Sequence, residues 1–289
     1  MEEHCQPYEG NSLPVAAVVL NWNGLEKTAA CCRSLAEQAH PHLRIWVVDN
    51  GSTANTLYDL QRACPQATVI RLEKNLGFAG GVNVGIHAAR AGGGFDFVWL
   101  LNNDAVCEPD ALARMLAVAD RDTRIAAVGC TMQEGGGDTP PRRVHAGKRL
   151  RPPFFIPEAA RRAAEIDYLC GACLLIRHEA LEEVGLLDEG YFFFFEDADW
   201  CFRARRYGWT LGVATGDLVR HAGSGTIGSM DRLKASHYRA GHVRFLRIHA
   251  RHPVLAAVPV TGYRLLADLL RFRWASAAGT IDGWRRGWR

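Results

Sequence analysis

The chain has 289 residues, 48% of them hydrophobic and 22% charged, which is ordinary for a folded globular protein and suits one large domain or one domain with an appendage. The polar, acidic start MEEHCQPYEG lacks the basic residues and apolar core of a signal peptide. The nine cysteines are odd in number and irregularly spaced, which argues against a secreted disulfide scaffold and predicts a protein of the reducing cytoplasm.

The net charge of +3 conceals a difference between the body and the tail of the chain. Residues 232–289 carry twelve Lys/Arg and two acidic residues, a charge of +10. The preceding 231 residues carry 22 basic and 29 acidic residues, a charge of −7. A basic tail on an acidic body predicts contact with an anionic surface, for which nucleic acid and membrane lipid are both candidates.

Four continuously apolar segments in the first 105 residues end in polar residues and predict β-strands. They are VAAVVLNWNG, LRIWVVDNGS, ATVIRLEKNLG and FDFVWLLNNDA. Helix-like stretches alternate with them near Leu25–Ala39, Ala54–Ala63 and Gly77–Ala91. This alternation predicts a parallel sheet covered on both faces, with ligands bound beyond the carboxyl ends of the strands. The polar residues at those ends should therefore converge on one crevice; they are Asn21, Asp49, Asn75 and Asp104.

The middle of the chain continues this pattern and then breaks it. A helix is predicted at about Pro109–Ala119 and a strand at Ile125–Cys130. The glycines, prolines and basic residues of Gln133–Glu165 predict a long, mobile loop. Beyond it, IDYLCGACLLIRHEALEEVG predicts a strand and a helix closed by Gly185, and GYFFFFEDADWCFRARRYGW predicts an aromatic strand that runs into a helix ending at Gly208.

The last part of the chain predicts an amphipathic helix. Its apolar face is formed by Leu265, Leu266, Leu269 and Leu270, and a charged face by Arg264, Asp268 and Arg271. The longest uncharged run, Pro253–Tyr263, has eleven residues, whereas crossing a bilayer takes about 20 apolar residues. The helix is therefore expected either to lie on a membrane surface or to pack on the main domain or a dimer partner.

Two motifs offer candidate nucleotide chemistry, each with a plainer alternative. Asp49, in VVDNGST, either forms a turn, with Ser52 or Thr53 capping the next helix, or accepts a hydrogen bond from the N3–H of uracil or thymine. The glycines of Asn75–Gly85 either permit close helix packing or let the backbone approach a phosphate. Their spacing matches neither the dinucleotide-binding fingerprint nor a P-loop.

Acidic residues and one histidine offer candidate acid–base or metal chemistry. FFFFEDADW places three acids at a helix start, more than capping requires, so Asp197 is a candidate general base. The polar triplet before Ala105 either forms a turn or holds a metal ion, and the glycine-rich AGSGTIG after His221 could bring that histidine to the same crevice. Cys170 and Cys173 are expected to be buried small hydrophobes because no second pair has zinc-ligand spacing.

Seven stretches occur in one order over residues 14–228, namely VVLNWNG, VVDNGS, NLGFAGGVNVGI, WLLNNDA, GACLLIR, FFEDADWCFRARRYGW and RHAGSGT. Together they resemble the family 2 glycosyltransferases with the GT-A fold, and within that family the bacterial rhamnosyltransferase-like enzymes of cell-surface polysaccharide assembly. RFLRIHARHP and IDGWRRGWR in the tail resemble the basic C-terminal helices of those enzymes. The resemblance implies an α/β GT-A catalytic domain over residues 1–230, with a mostly parallel sheet, and a basic amphipathic helical extension over 231–289.

The resemblance also implies an inverting, metal-dependent enzyme. It would move a sugar, with L-rhamnose the first expectation, from a dTDP- or UDP-sugar to a hydroxyl of a glycan or lipid-linked acceptor. A cytoplasmic protein is expected, with the C-terminal helices on the anionic inner face of the cytoplasmic membrane or in a homodimer, and with no nucleic acid partner. The alternatives are a sugar-phosphate nucleotidyltransferase, whose early glycine-rich loop is absent from LNWNGLEKT, and a catalytically silent nucleotide-sugar-binding module.

The same resemblance assigns roles to individual residues. The nucleoside would be held by Asn21 and Asp49, and the donor sugar-diphosphate side would be lined by Asn75, Gly77 and Asn83. Mg²⁺ or Mn²⁺ would be bound by Asp104 and His221, with Asn102 and Asn103 as supporting contacts to ribose or a metal-bound water. Asp197 would be the base, Glu196 would orient the acceptor, and Asp199 would support them. Many family members carry aspartate where this chain has Asn102 and Asn103, so weaker metal binding is expected.

Overall fold

The computed structural model describes residues 13–136, 139–160, 162–221 and 231–289. The predictions made on MEEHCQPYEG and on the AGSGTIG turn fall outside these residues. The strands of the first half are β1 (Val15–Asn21), β2 (Leu43–Asp49), β3 (Ala67–Arg71), β4 (Phe97–Asn102), β5 (Ala105–Cys107) and β6 (Ile125–Gly136). The helices among them are α1 (Leu25–Ala36), α2 (Leu57–Ala63), α3 (Gly77–Ala91) and α4 (Ala111–Ala119).

The second half begins with short strands and ends in helices. Its strands are β7 (Thr139–Val144), β8 (Gly147–Arg151), β9 (Ile156–Ala159), β10 (Tyr168–Leu169), β11 (Cys173–Arg177) and β12 (Thr210–His221). A single 3₁₀ turn covers Ala163–Glu165, and the helices are α5 (His178–Val184), α6 (Glu196–Arg206), α7 (Asp231–His249), α8 (Pro253–Leu270) and α9 (Trp274–Gly287).

A nine-stranded sheet forms the centre of the fold, in the order β3-β2-β1-β4-β11-β6-β12-β5 with β7 beside β6. The four strands from β3 to β4 are parallel, β11 is antiparallel to both of its neighbours, and β12 is parallel to β6. Along β1, Val15, Ala17 and Val19 pack into the core on one face, and Ala16 and Val18 into the core on the other. Both faces are therefore buried, which confirms the predicted α/β sheet covered by helices.

The predicted loop over Gln133–Glu165 was wrong, because most of it is strand. The strand β6 continues to Gly136 and pairs with β7, and β8 pairs with β9 and β10 in a second, three-stranded sheet. Pro152 and Pro153, which favoured a loop in the sequence, fall in the turn between β8 and β9. Proline in this turn removes no hydrogen bond between strands, so it is compatible with the short strands on either side.

The predicted aromatic strand before α6 was also wrong. Residues 192–195 form a bend, and the backbone of Phe194 and Phe195 is left-handed, with φ of 71° and 73°. The ring of Phe195 lies 5.6 Å from the ring of Phe245 in α7. Tertiary packing of these rings thus overrides their strand propensity. The expected capping of α2 by Ser52 or Thr53 was wrong as well, since Thr56 caps it in a capping box with Asp59.

The three C-terminal helices pack on the body through α7. The ring of Phe245 contacts the rings of Phe155 and Phe202 at 5.7 and 5.0 Å, and Arg244 Nη2 lies 2.7 Å from Asp188 Oδ2. Helix α9 lies against α7, because a side chain at Gly279 would overlap the backbone of α7. The outer face of α8 remains exposed. Its predicted apolar residues Leu266, Leu269 and Leu270 are 57%, 41% and 71% exposed.

Candidate active site

A cavity of about 310 Å³ opens beyond the carboxyl ends of β1 and β4. Polar side chains from several separate motifs line it, and these are Asn102, Asn103, Asp104, Glu134, Glu196, Asp197 and His221. Leu20, Trp22 and Phe194 contribute apolar walls. The prediction that Asp104, Asp197 and His221 share one crevice agrees with this geometry. Asn21, Asp49 and Asn75, which were expected in the same crevice, do not line this cavity.

Asp104 and His221 form an acid–imidazole pair in the cavity. His221 Nε2 lies 3.1 Å from Asp104 Oδ1 and 3.2 Å from Asn102 Nδ2, and His221 Nδ1 lies 3.8 Å from Glu134 Oε1. Burial by itself would lower the pKa of His221, but the hydrogen bonds and negative charges of Asp104 and Glu134 outweigh burial and raise it to about 9. Two carboxylates thus surround one imidazole in this corner of the cavity.

The donor atoms of Asp104 and His221 determine which metal ion could bind between them. In the part of the chain that the structure describes, no group of three or more His, Cys, Asp or Glu side chains is arranged to hold a metal ion. Asp104 and His221 alone offer one carboxylate and one imidazole on a shared wall. Mg²⁺ is commonly bound by one or two carboxylates together with substrate phosphates and water, so the donor set fits an ion held jointly with a diphosphate.

Asp197 is positioned by backbone donors at the start of α6. Its Oδ2 accepts a hydrogen bond from the N–H of Gly171 at 2.8 Å, and its Oδ1 accepts one from the N–H of Ala198 at 2.8 Å. Burial raises the pKa of Asp197, and these hydrogen bonds partly offset that rise. A carboxylate that is oriented by two amides and lines a cavity has the features of a general base.

Glu196 and Asp199 flank Asp197 but have different surroundings. Glu196 is 5% exposed, its Oε2 has no hydrogen-bond partner among the described residues, and burial followed by the charge of Asp197 raises its pKa well above the ordinary value. Asp199 is 2% exposed and accepts hydrogen bonds at 2.8 Å from Arg203 Nε and His249 Nε2. Glu196 therefore offers the cavity an unused polar atom, whereas Asp199 ties α6 to α7.

Asn21 and Asp49 lie side by side at the ends of β1 and β2 and are fully buried. Asn21 Nδ2 donates to Asp49 Oδ1 at 3.0 Å, and Ser52 Oγ donates to the same oxygen. Asp49 Oδ2 lies 3.0 Å from Arg71 Nη1 but has no hydrogen bond of good geometry among the described residues. Asn21 thus braces two strand ends, and Asp49 keeps one acceptor oxygen free of hydrogen bonds.

The residues predicted for the sugar-diphosphate side do not line the 310 Å³ cavity. Asn75 Oδ1 accepts hydrogen bonds from Gly77 N at 2.8 Å and Asn50 Nδ2 at 3.0 Å. Gly77 has φ of 79°, and a side chain there would overlap Phe192. Asn83 Nδ2 donates to the carbonyl of Leu187 at 2.9 Å, which fastens α3 to the segment before α6. In this structure these three residues shape the backbone around the start of α3 and α6.

Comparison with known proteins shows the family to which the chain belongs. The Glycosyl transferase family 2 model matches residues 17–185, more than half of the chain and the part that contains Asp49 and Asp104. The chain belongs to glycosyltransferase family 2. This family 2 enzyme is thus a glycosyltransferase, as the motifs in the sequence predicted, and its matched region ends before α6.

Two characterised relatives resemble this family 2 enzyme. An N-acetylglucosaminyl-diphospho-decaprenol L-rhamnosyltransferase of Mycobacterium tuberculosis is 28% identical, and the match covers 80% of this chain and 81% of the relative. The low-salt glycan biosynthesis hexosyltransferase Agl10 of Haloferax volcanii is 25% identical over 57% of this chain and 54% of its own length. The predicted resemblance to rhamnosyltransferases is confirmed by the first match.

Two solved structures share the fold of this family 2 enzyme. The mannosyltransferase PcManGT from Pyrobaculum calidifontis, solved in complex with GDP-Man and Mn²⁺, superposes with a TM-score of 0.58 at 16% identity, over 93% of this chain and 74% of that one. Residues 1–349 of S. aureus TarS give 0.56 at 16% identity, over 96% and 92%. The predicted GT-A architecture with C-terminal helices is confirmed.

Two lining residues of the glycosyltransferase escaped the sequence prediction. Glu134 was assigned to the wrong loop, and it lies on the other side of His221 from Asp104 because β6 pairs with β12. Trp22 was visible next to Asn21, but no spacing marks it as a cavity wall. Cys173 is fully buried, as expected, whereas Cys170 was expected to be buried but is only partly so and lines the cavity.

Proposed function

We propose that this family 2 enzyme is an inverting, metal-dependent transferase that moves L-rhamnose, as first candidate, from a dTDP- or UDP-sugar to a hydroxyl of a lipid-linked glycan. The observation that carries the proposal is one cavity lined both by the Asp104–His221 pair and by the amide-oriented Asp197. The acceptor class is supported by the name of the mycobacterial relative, a rhamnosyltransferase named for a diphospho-decaprenol acceptor.

The nucleoside end of the donor is proposed to lie over the buried ends of β1 and β2. Asp49 Oδ2 is suited to accept the N3–H of uracil or thymine, because it is an acceptor with no hydrogen bond of its own among the described residues. Asn21 would hold Asp49 in place. Asn75, Gly77 and Asn83 are proposed to position the turn and helix beside the sugar diphosphate, and Asn102 and Asn103 to support ribose or a metal-bound water.

The diphosphate end of the donor is proposed to meet Asp104 and His221. A bound Mg²⁺ or Mn²⁺ would neutralise charge on the departing nucleoside diphosphate. Asp104 would supply the anionic ligand and His221 the second ligand, and Glu134 would orient the ring of His221 from its other nitrogen. Asn102 places an amide beside His221 where a carboxylate would bind the cation more tightly.

Asp197 is proposed to accept the proton of the acceptor hydroxyl. That oxygen then bonds to the anomeric carbon from the face opposite the nucleoside diphosphate, whose bond to the sugar breaks with the electron pair leaving on the diphosphate. One such displacement inverts the anomeric configuration without a covalent enzyme intermediate. Glu196, buried beside Asp197 with a free polar atom, would orient the acceptor.

The proposal assigns catalysis to residues 1–230 and acceptor and membrane contacts to the extension over 231–289. In the part of the chain that the structure describes, one helix, α8, has the length and composition of a membrane-crossing segment, with mean hydropathy 1.3 and 22% of it buried. We propose that its exposed apolar residues bind the anionic inner leaflet of the cytoplasmic membrane. Alternatively, this face would bind a second copy of the chain in a homodimer.

The test of the proposed function is the variant Asp197→Asn, which keeps the size and hydrogen-bond acceptor of the side chain. We expect the transfer rate to fall by about 10²- to 10⁴-fold, the usual contribution of a positioned general base. Binding of dTDP or UDP should persist. Asp120→Asn, an exposed aspartate at the end of α4, is the matched control. Full activity of Asp197→Asn would overturn this assignment, and nucleotide binding without turnover in the native protein would favour a silent module.

A further inference from the structure

A second cavity lies among the C-terminal helices, away from Asp104 and Asp197. It has a volume of about 530 Å³ and lies between α7, α8, α9 and β9. Of the residues that the structure describes, four cations and no carboxylate line it; the cations are Lys234, Arg239, Arg264 and Arg273. A predominantly positive concave space of this size is suited to an anionic ligand.

Arg239 is the unusual member of this group. Its side chain is buried, with 4% of the residue exposed, and its Nε has no hydrogen-bond partner among the described residues. Nη1 contacts His242 Nδ1 at 3.2 Å, while His242 Nε2 is 2.8 Å from the carbonyl oxygen of Phe154 and so donates to it. His242 therefore accepts from Arg239 as a neutral imidazole and does not cancel its charge. A buried guanidinium without a counter-ion costs free energy, which a bound anion would recover.

The nearest carboxylate is already engaged by other residues. Asp268 is 1% exposed, and its Oδ2 lies 3.0 Å from Arg264 Nε and 2.7 Å from Ser276 Oγ. Arg273 Nη1 lies 3.9 Å from the other oxygen of the same carboxylate. No ion pair with Arg239 or Lys234 is formed in the described part of the chain. One carboxylate is thus shared by two of the four cations, and the cavity keeps an excess of positive charge.

The position of the cavity indicates which anion it takes. Phe194 lines this cavity and also the 310 Å³ cavity that contains Asp197, so the two spaces adjoin at this residue. Tyr263 lines the positive cavity as well, and it is 77% exposed on α8, the helix whose outer residues Leu266 and Leu270 are also exposed. The cavity therefore lies between the proposed base and the apolar face of α8.

We propose that this cavity binds the diphosphate group of the lipid-linked acceptor, with Arg239 as its main contact. The inference rests on the proposed function and names the substrate class of the same enzyme. The acceptor sugar would pass Phe194 toward Asp197, and its lipid would leave beside Tyr263 along the exposed residues of α8. A phospholipid headgroup has the same phosphate chemistry, but it would not require a cavity that adjoins the active site.

The first experiment measures binding without any transfer reaction. Inorganic pyrophosphate and farnesyl diphosphate are titrated calorimetrically, in metal-free buffer, into the native protein, Arg239→Gln and Arg232→Gln. Arg232 lies on the same helix and is exposed and paired with Asp282, so its variant removes the same charge outside the cavity. We expect a loss of affinity of roughly tenfold to a hundredfold in Arg239→Gln, the effect of one charged hydrogen-bonding partner, and no change in Arg232→Gln.

The folded state is checked in the same variants. Because the charge of Arg239 has no counter-ion in the described residues, Arg239→Gln should unfold at the same or a higher temperature than the native protein. A purely structural arginine would lower it. If Arg239→Gln fails to fold, the same titration is done with Lys234→Met. This variant changes a half-buried side chain of the same cavity. Equal binding of both diphosphates by the native protein and the cavity variant overturns the proposal, as does absence of binding by the native protein.

Two further measurements distinguish a diphosphate site from a lipid-headgroup site, and failure of this inference from failure of the proposed function. Binding to phosphatidylglycerol vesicles that depends on Arg239, without any effect on farnesyl diphosphate, would assign the cavity to a headgroup and overturn the proposal. With a short-chain sugar-diphospholipid acceptor, Arg239→Gln should raise KM about tenfold or more and leave dTDP or UDP binding unchanged. Native KM in this variant overturns the cavity assignment alone. Arg239-dependent diphosphate binding by a native protein without transferase activity would instead overturn the proposed function.

Discussion

His221 Nε2 lies 3.1 Å from Asp104 Oδ1 because of strand register. The last residue of β12, His221, pairs with Ala105 at the start of β5, so it lies beside the residue that precedes Ala105. Two residues far apart in the sequence are thus fixed on one wall by backbone hydrogen bonds. A site held by a sheet is more rigid than one held by loops, which suits a metal ion with few protein ligands.

Replacing Asp104 should therefore remove the response to metal. In Asp104→Asn an amide replaces the carboxylate that lies 3.1 Å from His221, closer than Glu134 at 3.8 Å. We expect the Mn²⁺ concentration for half-maximal donor hydrolysis to rise at least about tenfold, since even residues that support metal ligands commonly have effects of this size. The measurement is a Mn²⁺ titration of hydrolysis at saturating nucleotide sugar.

Asp110→Asn is the control for that titration, because the Asp110 side chain is 61% exposed and forms an ion pair with Arg114 at 3.6 Å. It should give the native Mn²⁺ curve. An Asp104→Asn curve identical to the native one, or native hydrolysis in EDTA, would show that Asp104 does not hold the ion.

The pH dependence of catalysis should report Asp197. Burial raises its pKa above the ordinary value of 3.8, and a general base acts only when ionised. Activity should therefore be present above this raised pKa and be lost as pH falls through it. The charge of Lys148 in β8 lowers the pKa of Asp197. Lys148→Met should consequently move the acidic limb of kcat/KM to higher pH.

Arg149→Met is the matched control for Lys148→Met, since adjacent residues of a strand point to opposite faces. It should leave the acidic limb where it is in the native enzyme. The profiles are measured at saturating metal over a pH range in which thermal unfolding shows the protein to be folded. A limb that shifts equally in both variants, or in neither, would mean that another group controls it.

The position of Asp104 beyond a strand end could be predicted because it depends on periodicity that the sequence preserves, whereas Asp197 follows a segment that was wrongly predicted to be a strand. Continuous apolar strands separated by helices predict a parallel sheet, and parallel strands end at one edge. Asn21 and Asp49 were correctly placed at neighbouring strand ends for the same reason. The sequence did not predict the solvent exposure of these residues. Both are fully buried, and Asp49 is also paired with Arg71, which lies at the end of β3.

The errors share a different cause, which is packing between distant parts of the chain. The turn at Phe194 and Phe195 is held by α7, and no local signal in four consecutive phenylalanines predicts left-handed backbone. Within Gln133–Glu165, the end of β6 pairs with β7 and β12, and β8 pairs with β9 and β10 in a separate sheet. Glu134 was missed as a cavity residue for this reason alone.

A pair of glycines tests how α7 supports the active site. A side chain at Gly241 would overlap the carbonyl oxygen of Phe194, so Gly241→Ala should push α7 from the turn that precedes Glu196. We expect lower stability, by about 1–3 kcal/mol as for other overpacked sites, and a lower transfer rate. The measurements are denaturant unfolding and initial rates at saturating donor.

Gly262→Ala is the opposite case, because no heavy atom lies within 4 Å of a methyl group added there in α8. It should stabilise the protein by about 0.5–1 kcal/mol through helix propensity and leave the rate unchanged. Equal effects of the two alanines would contradict the close contact between Gly241 and Phe194.

The exposed face of α8 gives the last prediction. Leu266 and Leu270 are 57% and 71% exposed, so Leu266→Ser with Leu270→Ser should leave folding intact and weaken binding to phosphatidylglycerol vesicles. Burial of a leucine stabilises by about 1.5–3 kcal/mol, so the pair should change vesicle affinity by roughly tenfold or more. Flotation with vesicles measures the bound fraction. Tyr58→Ser, 68% exposed on α2, is the control and should float like the native protein. Unchanged flotation of the double variant, together with a shift from dimer to monomer in sedimentation, would assign this face to a second copy of the chain.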